Sequence, residues 1–431
     1  MRGGNISFEI YRGLFALQHR GQEAAGISVS NRGKIITHKG LGLVREVFDE
    51  ESLDKLGGDL GIGHVRYSTA GESSTVMNAQ PLMLEYLGQR VAIAHNGNIE
   101  DFTLLRERLE RDGTIMLTNS DTELIFHYLV RRFKKPPGEW EPKEIAEYLF
   151  STLKGAYSLL FLFADKVVAI RDPKGYRPLW IYEGKGMRLF SSEDSAFPEG
   201  GKRTEMGSGS CAVITPESLR YEKIADDVKR QCIFEYVYFA RPDSKIFGRS
   251  VHLMRERFGE RCAMENPVNA DIVVPVMDSG LSAALGFSKY TGIPLEAGLM
   301  RNRWVGRTFI KPQNRDESVA NKISAVSDVV KEKKIVLVDD SIVRGTTSRK
   351  IVSMLRKAGA KEIHFRIASP PVRYECFWGV DIPIRGELVA SSRDIVEYTG
   401  ADTVRYLSLE GMLEVVGGSE SFCTHCFDGK R

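Results

Sequence analysis

Two adjacent acids close an apolar run in the segment Lys334-Ile-Val-Leu-Val-Asp-Asp-Ser-Ile-Val-Arg-Gly-Thr-Thr-Ser348. Carboxylates such as Asp339 and Asp340 can hold the hydroxyls of a sugar or a magnesium ion. Just beyond them, Arg344, Gly345, Thr346, Thr347 and Ser348 offer a glycine for a tight turn, three hydroxyls and the free backbone N–H groups of a helix start. Such a helix start binds anions. A pentose 5-phosphate bearing a diphosphate needs both halves: acceptors for its diol and its metal ion, donors for its phosphates. The plainer alternative is an acid pair capping an ordinary turn between strand and helix. That suits a bare Asp-Asp, but leaves the ordered run from Ile335 to Thr347 unexplained.

Such groups need particular elements behind them. The run Ile335 to Val338 is continuous and β-branched, as in a parallel strand covered on both faces, and the acids fall where an open α/β sheet binds its ligands. A helix carrying Ile351, Met354 and Leu355 should follow. From Phe234 onward, apolar strands at Ile272–Val276, Ile335–Val338 and Ile363–Ala368 alternate with helices, which predicts a doubly wound sheet. The earlier half predicts strands at Val91–His95, Leu159–Phe163 and Val167–Arg171 and helices at Phe102–Arg111 and Thr122–Phe133, an α+β pattern. The proline-rich stretch 134–142 is expected to be a surface connection.

The segment around Asp339 closely resembles the phosphoribosyl-diphosphate (PRPP) signature of type I phosphoribosyltransferases. The resemblance implies PRPP contacts from Asp339, Asp340 and Arg344 through Ser348. Val274-Pro-Val-Met-Asp-Ser-Gly280 is similar to that family's diphosphate loop, implying contacts from Asp278 and Ser279 and magnesium held by Ser279, Asp339 and Asp340. Arg301-Asn-Arg-Trp-Val-Gly-Arg-Thr-Phe-Ile310 is basic, glycine-hinged and aromatic, and resembles the family's lid, with Arg303 and Arg307 on PRPP. Closure would keep water from a labile oxocarbenium-like centre.

Four motifs in the first half run in order: Gly13-Leu-Phe-Ala-Leu-Gln-His-Arg-Gly-Gln-Glu23, Gly61-Ile-Gly-His-Val-Arg-Tyr-Ser-Thr-Ala-Gly71, His95-Asn-Gly-Asn-Ile99 and Asn119-Ser-Asp-Thr-Glu123. Together they resemble the class II glutamine amidotransferase domain, an N-terminal-nucleophile hydrolase. The resemblance gives Arg66 the carboxylate of bound glutamine, with Thr69 beside it, and Asp121 its amine. It makes Asn96 and the backbone N–H of Gly97 the oxyanion hole. On their own residues, His95-Asn-Gly-Asn98 reads as a turn after a strand and Arg66 as a surface ion pair.

In that family a cysteine at the mature N-terminus is the nucleophile, and its α-amine, with a pKa of about 7.7 to 8.0, can serve as base. This sequence begins Met1-Arg-Gly-Gly-Asn-Ile and has no cysteine before Cys211. The expected Cys-Gly start, and with it the family's first strand, falls upstream of Met1. Either the start was assigned to an internal methionine, or glutaminase activity is lost and the domain is kept as scaffold. Cys211, inside an expected late strand, has no α-amine and cannot substitute.

Cys423-Thr-His-Cys426 sets two thiols at the spacing that clamps one metal or one corner of a cluster. Cys232 and Cys376 lie in segments resembling those that supply the other ligands of a [4Fe–4S] cluster in one branch of the family. A four-thiolate zinc remains the alternative. Cys211 and Cys262 are expected to be packing residues.

The chain has 431 residues, 42% of them hydrophobic and 27% charged, with a formal charge of +3, which argues against nucleic acid as a partner. No long apolar stretch or leader is evident, so a cytoplasmic protein without a membrane partner is expected. The divisions expected are a truncated class II glutamine amidotransferase domain at 1–222, a type I phosphoribosyltransferase domain at 223–405 and a tail with the cluster cysteines at 406–431. As a whole the sequence resembles the glutamine PRPP amidotransferase family. That implies 5-phosphoribosylamine formation from PRPP and glutamine-derived ammonia at the start of purine synthesis, with Mg2+ and a [4Fe–4S] cluster as cofactors, purine nucleotides as feedback inhibitors and a homotetramer. Without the cysteine, ammonia-dependent turnover is expected. A PRPP-binding regulator and an ammonia-only transferase with a vestigial first domain stay open.

Overall fold

The computed structural model describes residues 6–67, 75–226, 228–301, 323–418 and 420–430. In the first half, β1 (Ala24–Asn31), β2 (Lys34–Leu41) and β3 (Leu60–Arg66) form an antiparallel sheet ordered β2-β1-β3. The chain continues through β4 (Leu82–Tyr86), β5 (Gln89–Ile99), β6 (Gly155–Leu162) and β7 (Val167–Arg171). A small sheet, β10-β8-β9, follows from β8 (Trp180–Gly184), β9 (Met187–Ser191) and β10 (Lys202–Glu205). Then β11 (Ser210–Ile214) and β12 (Leu219–Lys223) complete a six-stranded sheet ordered β12-β11-β7-β6-β5-β4.

The period of two along β5 decides how these layers stack. Ala92 and Ala94 face Ile35, Leu60 and Ile62 of the first sheet. Val91 and Ile93 face the opposite way, toward Leu124, Ile125 and Leu129 of helix Asp121–Phe133 and Ile145 and Leu149 of helix Pro142–Thr152. Helix Ile6–Ala16 covers the far side of the first sheet, with Leu14 against Ala25, Ile27 and Val29. The result is helix, sheet, sheet, helix, the α+β arrangement expected. Helix Phe102–Arg111 and strand Val167–Arg171 fall where the sequence places them. The proline-rich stretch is not a mere surface connection: it forms a short 3-10 turn, Pro137–Glu139, that drives Trp140 fully into the core.

In the second half, β13 (Gln231–Cys232) precedes a small hairpin of β14 (Lys245–Ile246) and β15 (Arg249–Ser250). The strand β16 (Ile272–Pro275) enters the main sheet, and β17 (Leu299–Arg301) pairs with β18 (Ile323–Ala325). Next come β19 (Lys334–Asp339), β20 (Glu362–Ile367) and β21 (Thr403–Tyr406), giving a parallel sheet β16-β19-β20-β21. Val336 and Val338 face Phe258 and Phe287 on one side, Ile335 and Leu337 face Ile351 and Leu355 on the other, so both faces of the sheet are covered. Such a strand must be apolar throughout, as Ile335 to Val338 are.

Of the segment expected as a tail, residues 406–418 and 420–430 pack onto this half. Met412 of helix Leu409–Val415 packs with Met254 and Phe258, and β22 (Phe422–Cys423) pairs in parallel with β13. Among the described residues no helix is long and apolar enough to cross a membrane.

Candidate functional site

At the end of β19 the two acids are nearly buried, Asp339 7% and Asp340 6% exposed. Ser279 Oγ donates to Asp339 Oδ1 at 3.0 Å, the Asp340 N–H to the same oxygen at 2.9 Å, and Ser341 Oγ to Asp340 Oδ1 at 2.5 Å. Burial, and then the neighbouring Asp340 charge, hold Asp339 well above the usual carboxylate range, and burial raises Asp340 as well. Among the described residues neither acid is ion-paired with an arginine or lysine. Two buried carboxylates and a hydroxyl, with Arg255 acting on Asp340 from beyond ion-pair distance, suit magnesium, which takes one or two carboxylates and completes its shell with substrate phosphates and water. No group of three or more His, Cys, Asp or Glu side chains among the described residues surrounds a single point as a metal ion would require.

Gly345, left-handed at φ +71°, caps helix Thr346–Lys357, and no side chain occupies the cap. The first N–H groups therefore face outward beside exposed Thr346 and Thr347, with Ser348 buried beneath. Arg344 is exposed and paired with Glu387 at 3.0 Å, and Asp278 is exposed against Arg301. Arg303 and Arg307 lie outside the described residues.

The second group of candidates lines a cavity of about 640 Å³ that includes Arg66, Asn96, Gly97 and Asp121. Arg66 ends β3, and its Nη1 is buried without a hydrogen-bond partner, so it is not the surface ion pair its sequence neighbourhood allows. The His95-Asn-Gly-Asn98 motif is no turn: β5 runs through it, with Gly97 opposite Tyr157 of β6. Gly97 has φ +148°, and a Cβ there would lie 1.9 Å from the Ala156 carbonyl oxygen, so only glycine fits. Asn96 Nδ2 donates to Ser192 Oγ at 3.4 Å. Asp121 opens its helix behind the Ser120 cap, accepting from the Ile99 N–H at 3.0 Å and lying 3.2 Å from His95 Nδ1. Although burial opposes it, these partners keep Asp121 below its ordinary range; burial pulls His95 down most strongly, but the Asp121 charge together with hydrogen bonds to Asp121 and the Ala156 carbonyl raises it overall. His64 lies 3.1 Å from the His95 carbonyl and is pushed by burial down to about 4, so it stays neutral. Thr69 lies outside the described residues.

The same cavity is closed by residues that motif reading did not single out: Phe239, Gly379 and Ile382, all from the second half of the chain. Behind them lies a buried ion network. Glu235 accepts from Arg20 at 2.7 and 3.1 Å and from Arg177 at 2.9 Å, and Glu193 accepts from Arg20 at 2.5 Å. Phe239 lies between the guanidiniums of Arg20, 4.6 Å from its ring centre, and Arg177, 5.0 Å away. The order Arg20, Arg177, Glu193, Glu235 carries no sequence spacing that signals a cluster.

The thiols of Cys232, Cys376, Cys423 and Cys426 come together where β13 and β22 pair, Cys232 opposite Cys423. Burial pushes Cys423 up to about 12 and raises Cys232 and Cys426, and in each case charge on neighbouring cysteines of the set adds to the effect. Among the described residues no three of these thiols converge as a bound metal would require. Cys211 and Cys262 stay apart, each pushed by burial up to about 12 and touching a backbone carbonyl.

Comparison with known proteins matches residues 64–199 to the glutamine amidotransferase domain family, a span containing Arg66, Asn96, Gly97 and Asp121. Over nearly the whole chain, similarity is to amidophosphoribosyltransferases: 43% identity with that of Methanothermobacter thermautotrophicus, over 98% of this chain and 90% of the relative. With the Bacillus subtilis protein it is 44%, over 97% and 90%. The solved structure of B. subtilis glutamine PRPP amidotransferase complexed with ADP and GMP superposes with a TM-score of 0.89 at 43% identity, over 99% of this chain and 94% of that one. A second solved structure, an allosteric regulatory enzyme of purine biosynthesis, gives 0.90, over 98% and 93%.

Proposed function

This chain belongs to the amidophosphoribosyltransferase family, and we propose that its two sites divide one reaction, ammonia being released from glutamine in the first half and joined to PRPP in the second. The fold is that family's: a class II glutamine amidotransferase domain followed by a phosphoribosyltransferase domain. The activity makes the protein an enzyme of the first step of purine biosynthesis.

In the transferase site, the nitrogen lone pair of ammonia attacks C1 of PRPP. The C1–N bond forms as the C1–O bond breaks, and diphosphate departs with the bonding pair. The open N–H groups at Thr346 and Thr347 take the 5-phosphate, and Asp339 and Asp340 hold the ribose hydroxyls and the metal. Ser279 and Asp278 face the diphosphate, with Arg303 and Arg307 closing over it. Magnesium, when bound to Asp339, Asp340 and Ser279, neutralises the leaving group. In the other site, Arg66 and Asp121 orient the α-carboxylate and α-amine of glutamine, with Thr69 alongside, and Asn96 and Gly97 take the oxyanion. The partnerless Nη1 of Arg66 supports an anionic ligand there.

A [4Fe–4S] cluster on Cys232, Cys376, Cys423 and Cys426 belongs to the same reading, supported by the packing of these cysteines about the paired strands β13 and β22. When bound it would supply a structural crosslink. Purine nucleotides as feedback inhibitors belong to the same reading, supported by the relative from B. subtilis being complexed with ADP and GMP. A homotetramer and a cytoplasmic location complete the reading.

The observation that carries the reading is the buried acid pair, without an ion-pair partner among the described residues, beside an uncapped helix start. Its test uses residues 1–431 with PRPP and magnesium. Ammonia should release diphosphate, and Asp340→Asn should slow release at least about 100-fold. No diphosphate with ammonia would leave a PRPP-binding regulator instead.

A further inference from the structure

The oxyanion candidate Gly97 is pinned from two sides. On one, the strand pairing to β6 leaves no room beyond its α-hydrogen. On the other lies the segment 376–382, nearly three hundred residues away in sequence. Gly379, left-handed at φ +90°, sits so close that a Cβ on it would be 2.7 Å from the Gly97 carbonyl carbon and 2.9 Å from its Cα. The neighbouring Asn98 Nδ2 donates to the Phe377 carbonyl at 2.9 Å, so the strand and the segment are tied at two successive positions.

What holds the segment is Arg177. Its side chain is fully buried, one nitrogen donating to Glu235 Oε1 at 2.9 Å and the other to the Gly379 carbonyl in a close contact. Glu235, itself fully buried, is fixed in turn by Arg20. A planar guanidinium holding a carboxylate on one edge and a carbonyl on the other fixes their separation and angle, which a lysine cannot do. Glu235 opens the turn Glu235–Phe239, and the carbonyls of its Tyr236 and of Ala240 just after it accept from Arg255 at 2.6 and 2.8 Å. The grip on Gly379 is thus anchored in the transferase half.

We infer that Arg177 is a positioning residue for the oxyanion hole: it holds the Gly379 carbonyl and so seats the backbone of Gly97 for the amide oxygen of glutamine. The inference rests on the reading of Gly97 as part of the hole. It assigns Arg177 no contact with substrate. Loss of its grip should leave glutamine bound through Arg66 and Asp121 but free its amide oxygen from the Gly97 N–H.

The sequence offers a direct probe, because Asn-Gly occurs once, at Asn96-Gly97. Protein labelled with carbonyl-13C asparagine and 15N glycine therefore gives one selectable amide resonance, that of Gly97. Saturating L-glutamine should move it downfield in the unaltered chain. In Arg177→Lys, glutamine should bind with a Kd within about threefold of the original, since the interactions lost are not those that bind its two charged ends, yet the Gly97 shift should disappear. Gly379→Ala, which spares the ion network, should lose the shift too and serves if Arg177→Lys does not fold. Other glycine amides should respond to glutamine as before. A full Gly97 shift in a folded variant overturns the role of Arg177 alone. No shift in the unaltered chain with glutamine bound removes Gly97 from the hole, and the inference with it.

Discussion

At the scale of single residues, burial without a partner says more than residue type. Arg66 reads from its neighbours as an exposed cation, yet the end of β3 delivers it into a cavity with one nitrogen unsatisfied. Asp172 shows the opposite case, a buried acid with no place in either site. It accepts from the N–H groups of Lys174 at 2.9 Å and Tyr157 at 3.3 Å, and burial, outweighing Arg171, lifts it to about 6. The native state therefore keeps a proton that the unfolded chain gives up near pH 4, so this group's contribution to stability falls as pH rises from about 4 to about 6 and is flat above, by about 3 kcal/mol in all. Urea unfolding of Asp172→Asn should show the variant gaining on the original chain across that window. A difference independent of pH between 4 and 7 would mean that Asp172 is charged throughout.

At the scale of elements, periodicity located most of the framework and failed where packing overrides composition. The strand Ile335 to Val338 and the helix after it followed from apolar runs and a glycine cap. The stretch 134–142 did not, because prolines and charges mark it as a loop while a single aromatic decides its fate. Trp140 meets Phe126, Phe133 and Phe163, and its Nε1 donates to the Lys135 carbonyl at 2.8 Å. Trp140→Ala should cost about 3–5 kcal/mol, read from the denaturant midpoint. A loss below about 1 kcal/mol would return the stretch to the surface role its composition suggests.

For the whole molecule, the cysteine set joins the start of the second half, the segment that closes the cavity and the end of the chain. A cluster there would bind all three together. Anaerobic reconstitution with iron and sulfide should give a brown protein with about four irons per chain. Cys376→Ala should lose the colour and lower the melting temperature. A colourless protein carrying one zinc per chain would instead indicate the four-thiolate site.

The amino-acid order by itself determined what depends on local runs: the acid pair with its phosphate-binding turn, the glutamine-site motifs, the α+β and α/β halves and the C-x-x-C pair. Each is written in contiguous residues whose spacing has a direct physical meaning. Only the tertiary structure decided that Gly379 presses on Gly97 and that Arg20, Arg177, Glu193 and Glu235 form one buried network. Those contacts join residues far apart in the chain, and no local periodicity encodes which distant charge or backbone will be packed against which.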